Sequence, residues 1–168
     1  MLFRSAGIMI DTNNFLTKTG VRTFEAAAFL RRCGADVTRV RKMFREHVED
    51  YRAKGEAIRN AELFREHFAI SVCPSEGLDS PTVVGAQAAN ELLNIIGVKA
   101  SFVLTDYRNT IYISARSIDE INVQIVMERL GGGGHLNIAG AQLEHYSITE
   151  AKDVLKQTLQ KMLDEGDI

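Results

Sequence analysis

The sequence predicts an α/β protein in which a mixed-sheet domain is joined by a long helix to a smaller N-terminal segment. Three observations predict it. A proline-free stretch with helical apolar spacing separates two unlike regions. After it, β-rich runs alternate with helical ones, and two of those runs stand close enough in sequence to form a hairpin, so the sheet cannot be wholly parallel.

Taken in order, the short apolar run at 6–10 ends on Asp11 and reads as a buried strand delivering a carboxylate at its C-terminal end. Thr23 is placed to cap a helix over 24–33, with Gly34 where a left-handed cap residue belongs, and Asp36 or Thr38 can start the next. From Val37 to about His67 there is no proline, and Val40, Met43, Phe44, His47, Val48 and Tyr51 keep helical spacing. One connector helix over 36–66 fits, roughly 45 Å long at ~1.5 Å per residue. Phe-Arg-Glu-His occurs at 44–47 and again at 64–67, an offset that matches no repeat architecture with supporting flanks.

Beyond the connector, 68–73 reads as a strand, and Ser80 with Pro81 as an N-cap and first helical residue, with Gly97 ending that helix. The runs 101–105 and 110–114 form an antiparallel hairpin across Asp106, Tyr107, Arg108 and Asn109. A short helix over 121–130, a strand over 141–146 and a terminal helix to about Glu165, opened by the capping box of Ser147 and Glu150, complete the chain. The domains are thus 1–35, the connector 36–66, and 67–168.

A chain of 168 residues that is 45% hydrophobic can bury an ordinary core as one domain or two small ones. Its 20 Lys and Arg against 22 Asp and Glu leave a formal charge of −2, so no global field draws it to nucleic acid or anionic lipid, and any polyanion must be held locally. Cys33 and Cys73 have neither zinc-site spacing nor the density of a disulfide scaffold and read as buried thiols in a reducing cytosol. No run approaches the ~18 apolar residues of a membrane span, so a soluble, cytoplasmic chain is expected.

The residues that invite chemistry begin with Gly131, Gly132, Gly133 and Gly134, followed by His135. Glycine loses the most entropy on folding and gives nothing to pack, so four in a row let backbone approach something closely. Such a turn can point successive N–H groups into an anion-binding concavity, with His135 at its edge and Ala139, Gly140 and Ala141 keeping the far side small. A flexible loop is the alternative, and the pattern is neither GxGxxG nor a P-loop. Arg116 closes a strand beside Ser117 and could clamp phosphate bidentately, or form a surface ion pair. Asp11, followed by Thr12, Asn13 and Asn14, is a metal ligand or an Asx-turn residue. His47, His67 and His145 read as surface or packed histidines. The basic residues Arg39, Arg41, Lys42 and Arg45, interleaved with Glu46, Glu49 and Asp50, read as a solvated helix face.

Taken together, the segments 6–15, Arg22 to Phe24, Ser114 to Ser117 and Gly131 to Leu143 resemble the DHH phosphoesterases with a DHH-associated C-terminal domain, especially the bacterial cyclic-di-AMP phosphodiesterases of the GdpP type. The resemblance implies that 67–168 is the DHH-associated nucleotide-binding domain and 1–35 the C-terminal remnant of a DHH catalytic domain. In that family two Mn2+ ions activate water for attack on a phosphodiester. Asp11 aligns with the last metal-ligating aspartate, the glycines, His135, Ala139 and Gly140 with the substrate-gripping loop, and Arg116 and Ser117 with the neighbouring substrate strand. The earlier metal motifs, including the Asp-His-His triplet, do not occur, which makes the chain a C-terminal portion with at most one manganese ligand. The expected partners are cyclic-di-AMP or a short linear dinucleotide, the missing DHH half, and a second copy pairing through the unpartnered strand edge of 1–35. The parent is expected to be membrane-anchored with this domain facing the cytoplasm. Two further readings stay open: an oligoribonuclease (nanoRNase) of the same family, and an RNA-binding module like the C-terminal domain of alanyl-tRNA synthetase, against which the acidic balance speaks.

Overall fold

A computed structural model describes residues 1–16, 18–118 and 120–168, in two compact units, Met1–Glu46 and His47–Ile168. The first unit holds helices α1 (Leu2–Asp11), α2 (Val21–Arg32) and α3 (Val37–Met43). The strand predicted at 6–10 is therefore helix. A short apolar run fits either state, and among the described residues of this unit no strand is present to pair with, so the backbone closes its hydrogen bonds within the segment. The unpartnered strand edge expected to support pairing of two copies goes with it. Phe3, Ile10 and Leu16 nevertheless remain exposed.

Past Asp11 the chain folds back on Thr12, whose Oγ1 donates to the Ile8 carbonyl at 2.6 Å and accepts from the Phe15 N–H at 3.0 Å. Asn13, Asn14 and Phe15 follow with φ of 46°, 57° and 68°, and Phe15 stacks on Phe24 at 5.4 Å. Helix α2 begins earlier than predicted, with Gly20 as N-cap. Thr23 sits one turn in, its hydroxyl accepting from the Gly20 N–H. Asp36 caps α3 through the Thr38 N–H, and Gly34 takes the expected left-handed φ of 91°.

The single connector helix does not form. Helix α3 stops at Met43, His47 caps α4 (Val48–Arg59), and a strand, β1 (Glu62–Phe64), follows, so the division between units falls inside 36–66. The cause is packing: Ala53 and Ala57 of α4 are buried in a core with other helical and strand residues of the second unit, and the Ser71 hydroxyl donates to the Ala57 carbonyl at 2.5 Å. The two Phe-Arg-Glu-His segments take different structures, the first ending α3 and capping α4, the second turning β1 into the next strand through Arg65 and Glu66 at φ of 50° and 64°.

The second unit continues with β2 (Phe68–Cys73), α5 (Pro81–Leu92), β3 (Ala100–Tyr107), β4 (Thr110–Ser117), α6 (Val123–Arg129), β5 (Gly133–His135), β6 (Ile138–Glu144) and α7 (Ile148–Glu165). These strands form a six-stranded mixed sheet, β1-β2-β3-β4-β6-β5, in which β2 and β3 are parallel and every other neighbouring pair is antiparallel. The β3–β4 hairpin is tighter than predicted: Arg108 and Asn109 alone make the turn, both at positive φ, as the twist of a two-residue hairpin requires. Ser80 is the N-cap of α5 with Pro81 behind it, although its hydroxyl makes no cap bond, and α5 ends at Leu92, short of Gly97.

Period-two alternation divides the sheet. On one face Phe68, Ile70, Phe102, Leu104, Ile111 and Ile113 pack with Met127 of α6 and Leu155 and Leu159 of α7. On the other, α4 and α5 cover Ala69, Cys73 and Val103 of β2 and β3. Burial of Cys73, and then nearby Glu56, pushes its thiol up to about 11, whereas Cys33 is exposed, contrary to the reading of two buried thiols. Among the described residues no helix is long and apolar enough to cross a membrane.

Candidate functional site

The helices α4 and α5 leave part of the second face uncovered, over β4, β6 and β5. Strand pairing places its residues in rows: Tyr112 with Gln142; Ser114 with Gly140 and then Gly133; Arg116 with Ile138 and then His135. The central row has two glycines, so the floor there is bare backbone. Above it lies a hollow of about 550 Å³, lined by Thr82 from the first turn of α5 and by Tyr112, Ser114, Gly132, Gly133 and Gln142 among others. That volume is in the ~300–1,000 Å³ range of small-molecule pockets. No described residue hydrogen-bonds the Thr82 or Ser114 hydroxyl or the Gln142 amide.

The four glycines have different duties. Gly131 takes φ 78° at the end of α6, its N–H donating to the Glu128 carbonyl at 3.0 Å, while the Gly132 N–H donates to Met127 at 2.8 Å. This pair of bonds terminates the helix in a Schellman motif. Two of the amides expected to face an anion are thus committed to α6. A Cβ on Gly132 would run into the Gly140 carbonyl and stand 2.6 Å from Ala141 Cα, and one on Gly134, whose φ is 152°, would stand 2.5 Å from Ala139 Cα. These two glycines do serve packing, letting β5 lie against β6. A Cβ on Gly133 would meet nothing within 4 Å. Of the glycines of the run that line the hollow, Gly133 is the one that neither closes α6 nor would crowd β6.

Arg116 is held in place by two hydrogen bonds, from Nε to Asn90 Oδ1 at 3.0 Å and from Nη1 to the Ala115 carbonyl at 2.8 Å. Burial pushes its pKa below the ordinary arginine value, and among the described residues no carboxylate pairs with it. A guanidinium is effectively always charged, so this face carries a partly buried cation with donors to spare. His135 is exposed, across Ile138 from Arg116.

Ser117, one residue on, stands on the covered side. It is buried, its hydroxyl donates to the Leu136 carbonyl at 3.4 Å and its N–H to Asn137 at 3.1 Å, while the Val123 N–H also donates to Leu136. Ser117 therefore anchors the turn between β5 and β6. Ala139 likewise lies in the core. Of the residues singled out in the sequence, Arg116, Gly133, His135 and Gly140 share the open face. Gly131, Gly132, Gly134, Ala139 and Ser117 shape it from the end or from beneath. Thr82, Tyr112, Ser114 and Gln142 went unread, although the alternation of Thr110 to Ser117 already puts Tyr112 and Ser114 beside Arg116 and sets Ser117 apart.

Asp11 belongs to the first unit, where it is the exposed last residue of α1 beside a hollow of about 410 Å³ lined by Arg4, Gly7, Ile8, Phe29 and Leu30 among others. A carboxylate at the negative end of a helix suits a cation. Yet among the described residues no three His, Cys, Asp or Glu side chains are grouped to hold a metal ion. A two-manganese centre does not fit the donors described.

A mixed sheet backed by α6 and α7 on one face, and on the other covered in part by α4 and α5 beside a glycine-floored hollow, defines an α/β domain. Residues 67–162 match the DHHA1 domain, and the chain belongs to that family. It is 41% identical over 162 residues to the cyclic-di-AMP phosphodiesterase GdpP of Geobacillus thermodenitrificans, covering 96% of this chain and 24% of that protein. It is 42% identical over 151 residues to the cyclic-di-AMP phosphodiesterase PdeA of Listeria monocytogenes, covering 89% and 23%. The chain thus spans about a quarter of the length of these relatives. In fold it matches the crystal structure of an exopolyphosphatase-related protein from Bacteroides fragilis with a TM-score of 0.82 at 23% identity, over 92% of this chain and 48% of that one.

Proposed function

We propose that this chain is the nucleotide-holding portion of a cyclic-dinucleotide phosphodiesterase, with cyclic-di-AMP as the substrate of the whole protein and the linear dinucleotide as its product. The observation that carries this is Arg116, a partly buried cation with no described carboxylate partner, beside a floor of glycine backbone. A phosphate is the anion whose shape matches a guanidinium, and the glycine floor lets a sugar-phosphate lie close. His135 is placed to add a donor at the rim. The relatives named above, both cyclic-di-AMP phosphodiesterases, support the choice of ligand. Cleavage belongs to the remainder of such a protein, which would supply the manganese ligands, with Asp11 the single contribution of this chain.

Titration of the chain with cyclic-di-AMP and linear pApA tests the reading. Charge-assisted hydrogen bonds contribute about 1.5–3 kcal/mol, so Arg116→Ala should weaken both ligands at least about tenfold, and His135→Ala less. Equal affinity in the wild-type and Arg116→Ala proteins would overturn the proposal.

A further inference from the structure

We infer that the hollow is a purine-base subsite in which Tyr112 supplies the stacking surface and Gln142 reads the edge of the base. The inference rests on the nucleotide reading of the same face and names what that reading leaves open, the part that recognises the base. Its starting point is that the hollow and Arg116 are not in the same place. Arg116 lies four residues along β4 from Tyr112, roughly 13 Å at ~3.3 Å per residue, on the scale that separates a 5′-phosphate from the far edge of its own base. A nucleotide phosphate on Arg116 projects its sugar over Gly140 and Gly133, where no side chain stands, and its base into the hollow.

The residues waiting there suit a base better than a second phosphate. Thr82, Ser114 and Gln142 are neutral, and among the described residues no lysine or arginine lines the hollow. Tyr112 and Gln142 are direct cross-strand partners, which puts an aromatic ring beside an amide. A ring face stacks on any base. The amide adds discrimination, because it offers one acceptor and one donor side by side. Adenine presents the complementary amino donor and ring-nitrogen acceptor on its major-groove edge, whereas guanine presents two acceptors there and leaves the amide oxygen unmatched. A carboxylate at 142 would reverse the choice, since it only accepts and matches the paired N–H donors of guanine.

The test titrates the full chain, and its Gln142→Glu, Tyr112→Leu and Arg116→Ala variants, with pApA, pGpG and ribose 5-phosphate. The wild type should prefer pApA over pGpG and hold ribose 5-phosphate at least tenfold more weakly. Gln142→Glu should lower pApA affinity about tenfold and invert the preference. Tyr112→Leu should weaken both dinucleotides and leave ribose 5-phosphate unchanged. Gln142 is exposed, and matching far-UV spectra and melting temperatures will show that the variants fold alike. An unchanged pApA to pGpG ratio in Gln142→Glu overturns the base subsite, and if Arg116→Ala still weakens both dinucleotides at least about tenfold, the phosphate grip survives. A ratio that inverts while Arg116→Ala binds normally supports the subsite and overturns the grip.

Discussion

On the helix-covered side of β4 and β6, Ile111, Ile113, Ala115, Ala141 and Leu143 are buried against α6 and α7. One residue away along the same strands, Tyr112, Ser114, Gly140 and Gln142 line a hollow, and Arg116 stands on the same face beyond it. Both sets come from one backbone at one register. What separates them is the covering layer: α4 and α5 extend over β2, β3 and the edge of β4, and part of the second face over β4, β6 and β5 is left open. Core packing and the proposed binding thus fall on alternate residues, and neighbouring substitutions should move different observables.

The largest expected contrast is between two consecutive residues. Ile113→Ala removes a side chain 2% exposed in the core and should cost about 2–5 kcal/mol in denaturant unfolding, whereas Ser114→Ala should stay within about 0.5 kcal/mol. Matching losses would mean that the open face is part of the core. Next comes a contrast within the glycine run. Gly134→Ala sets a Cβ against Ala139 at a φ of 152° and should cost roughly 1–3 kcal/mol. Gly133→Ala should leave the unfolding midpoint unchanged or slightly higher while weakening pApA, because its methyl enters the hollow. A destabilised Gly133→Ala protein with normal affinity would show that the two glycines do not divide the work.

Smaller still is Ser117→Ala. Loss of its bond to the Leu136 carbonyl should cost about 1 kcal/mol and loosen the turn after His135, with less effect on pApA affinity than Arg116→Ala. An effect on affinity as large as that of Arg116→Ala would place Ser117 in contact with ligand. The smallest effect lies at the start of α7. The Ser147 N–H at 2.8 Å, and then its hydroxyl, hold the exposed Glu150 carboxyl below its usual pKa. A depressed folded-state pKa gives stability that is present above the unfolded value and is lost as pH falls through the folded one. Melting temperature should therefore fall less on acidification in Glu150→Gln than in the wild type, and equal slopes would remove the capping box from the acid response.

The second unit was legible because its signals are local. Ser147 and Glu150 form the predicted box, and the runs around 101–105 and 110–114 are β-rich on both sides of a short polar turn. Two failures have nonlocal causes. The run 6–10 could not announce helix or strand by itself, since the choice turned on whether a pairing partner existed. The helical spacing of 37–67 was real in pieces, but the burial of Ala53 and Ala57, which docks α4 in the second unit, is a tertiary fact. β1 was missed because its turn uses Arg65 and Glu66, residues that do not advertise positive φ. At the site, the glycines and Arg116 stood out by composition, whereas Thr82, Tyr112 and Gln142 are ordinary residues made significant by cross-strand register.

The closing bonds of α6 give the hollow an unexpected mechanical character. Gly131 and Gly132 hang from Glu128 and Met127, and Met127 is fully buried. The floor beneath a ligand is therefore continuous with the interior of the domain and cannot loosen as a flap would without unravelling the end of that helix. Occupancy of such a site is felt by the whole folding unit: it raises the free energy of global opening by mass action and does not simply quiet a loop.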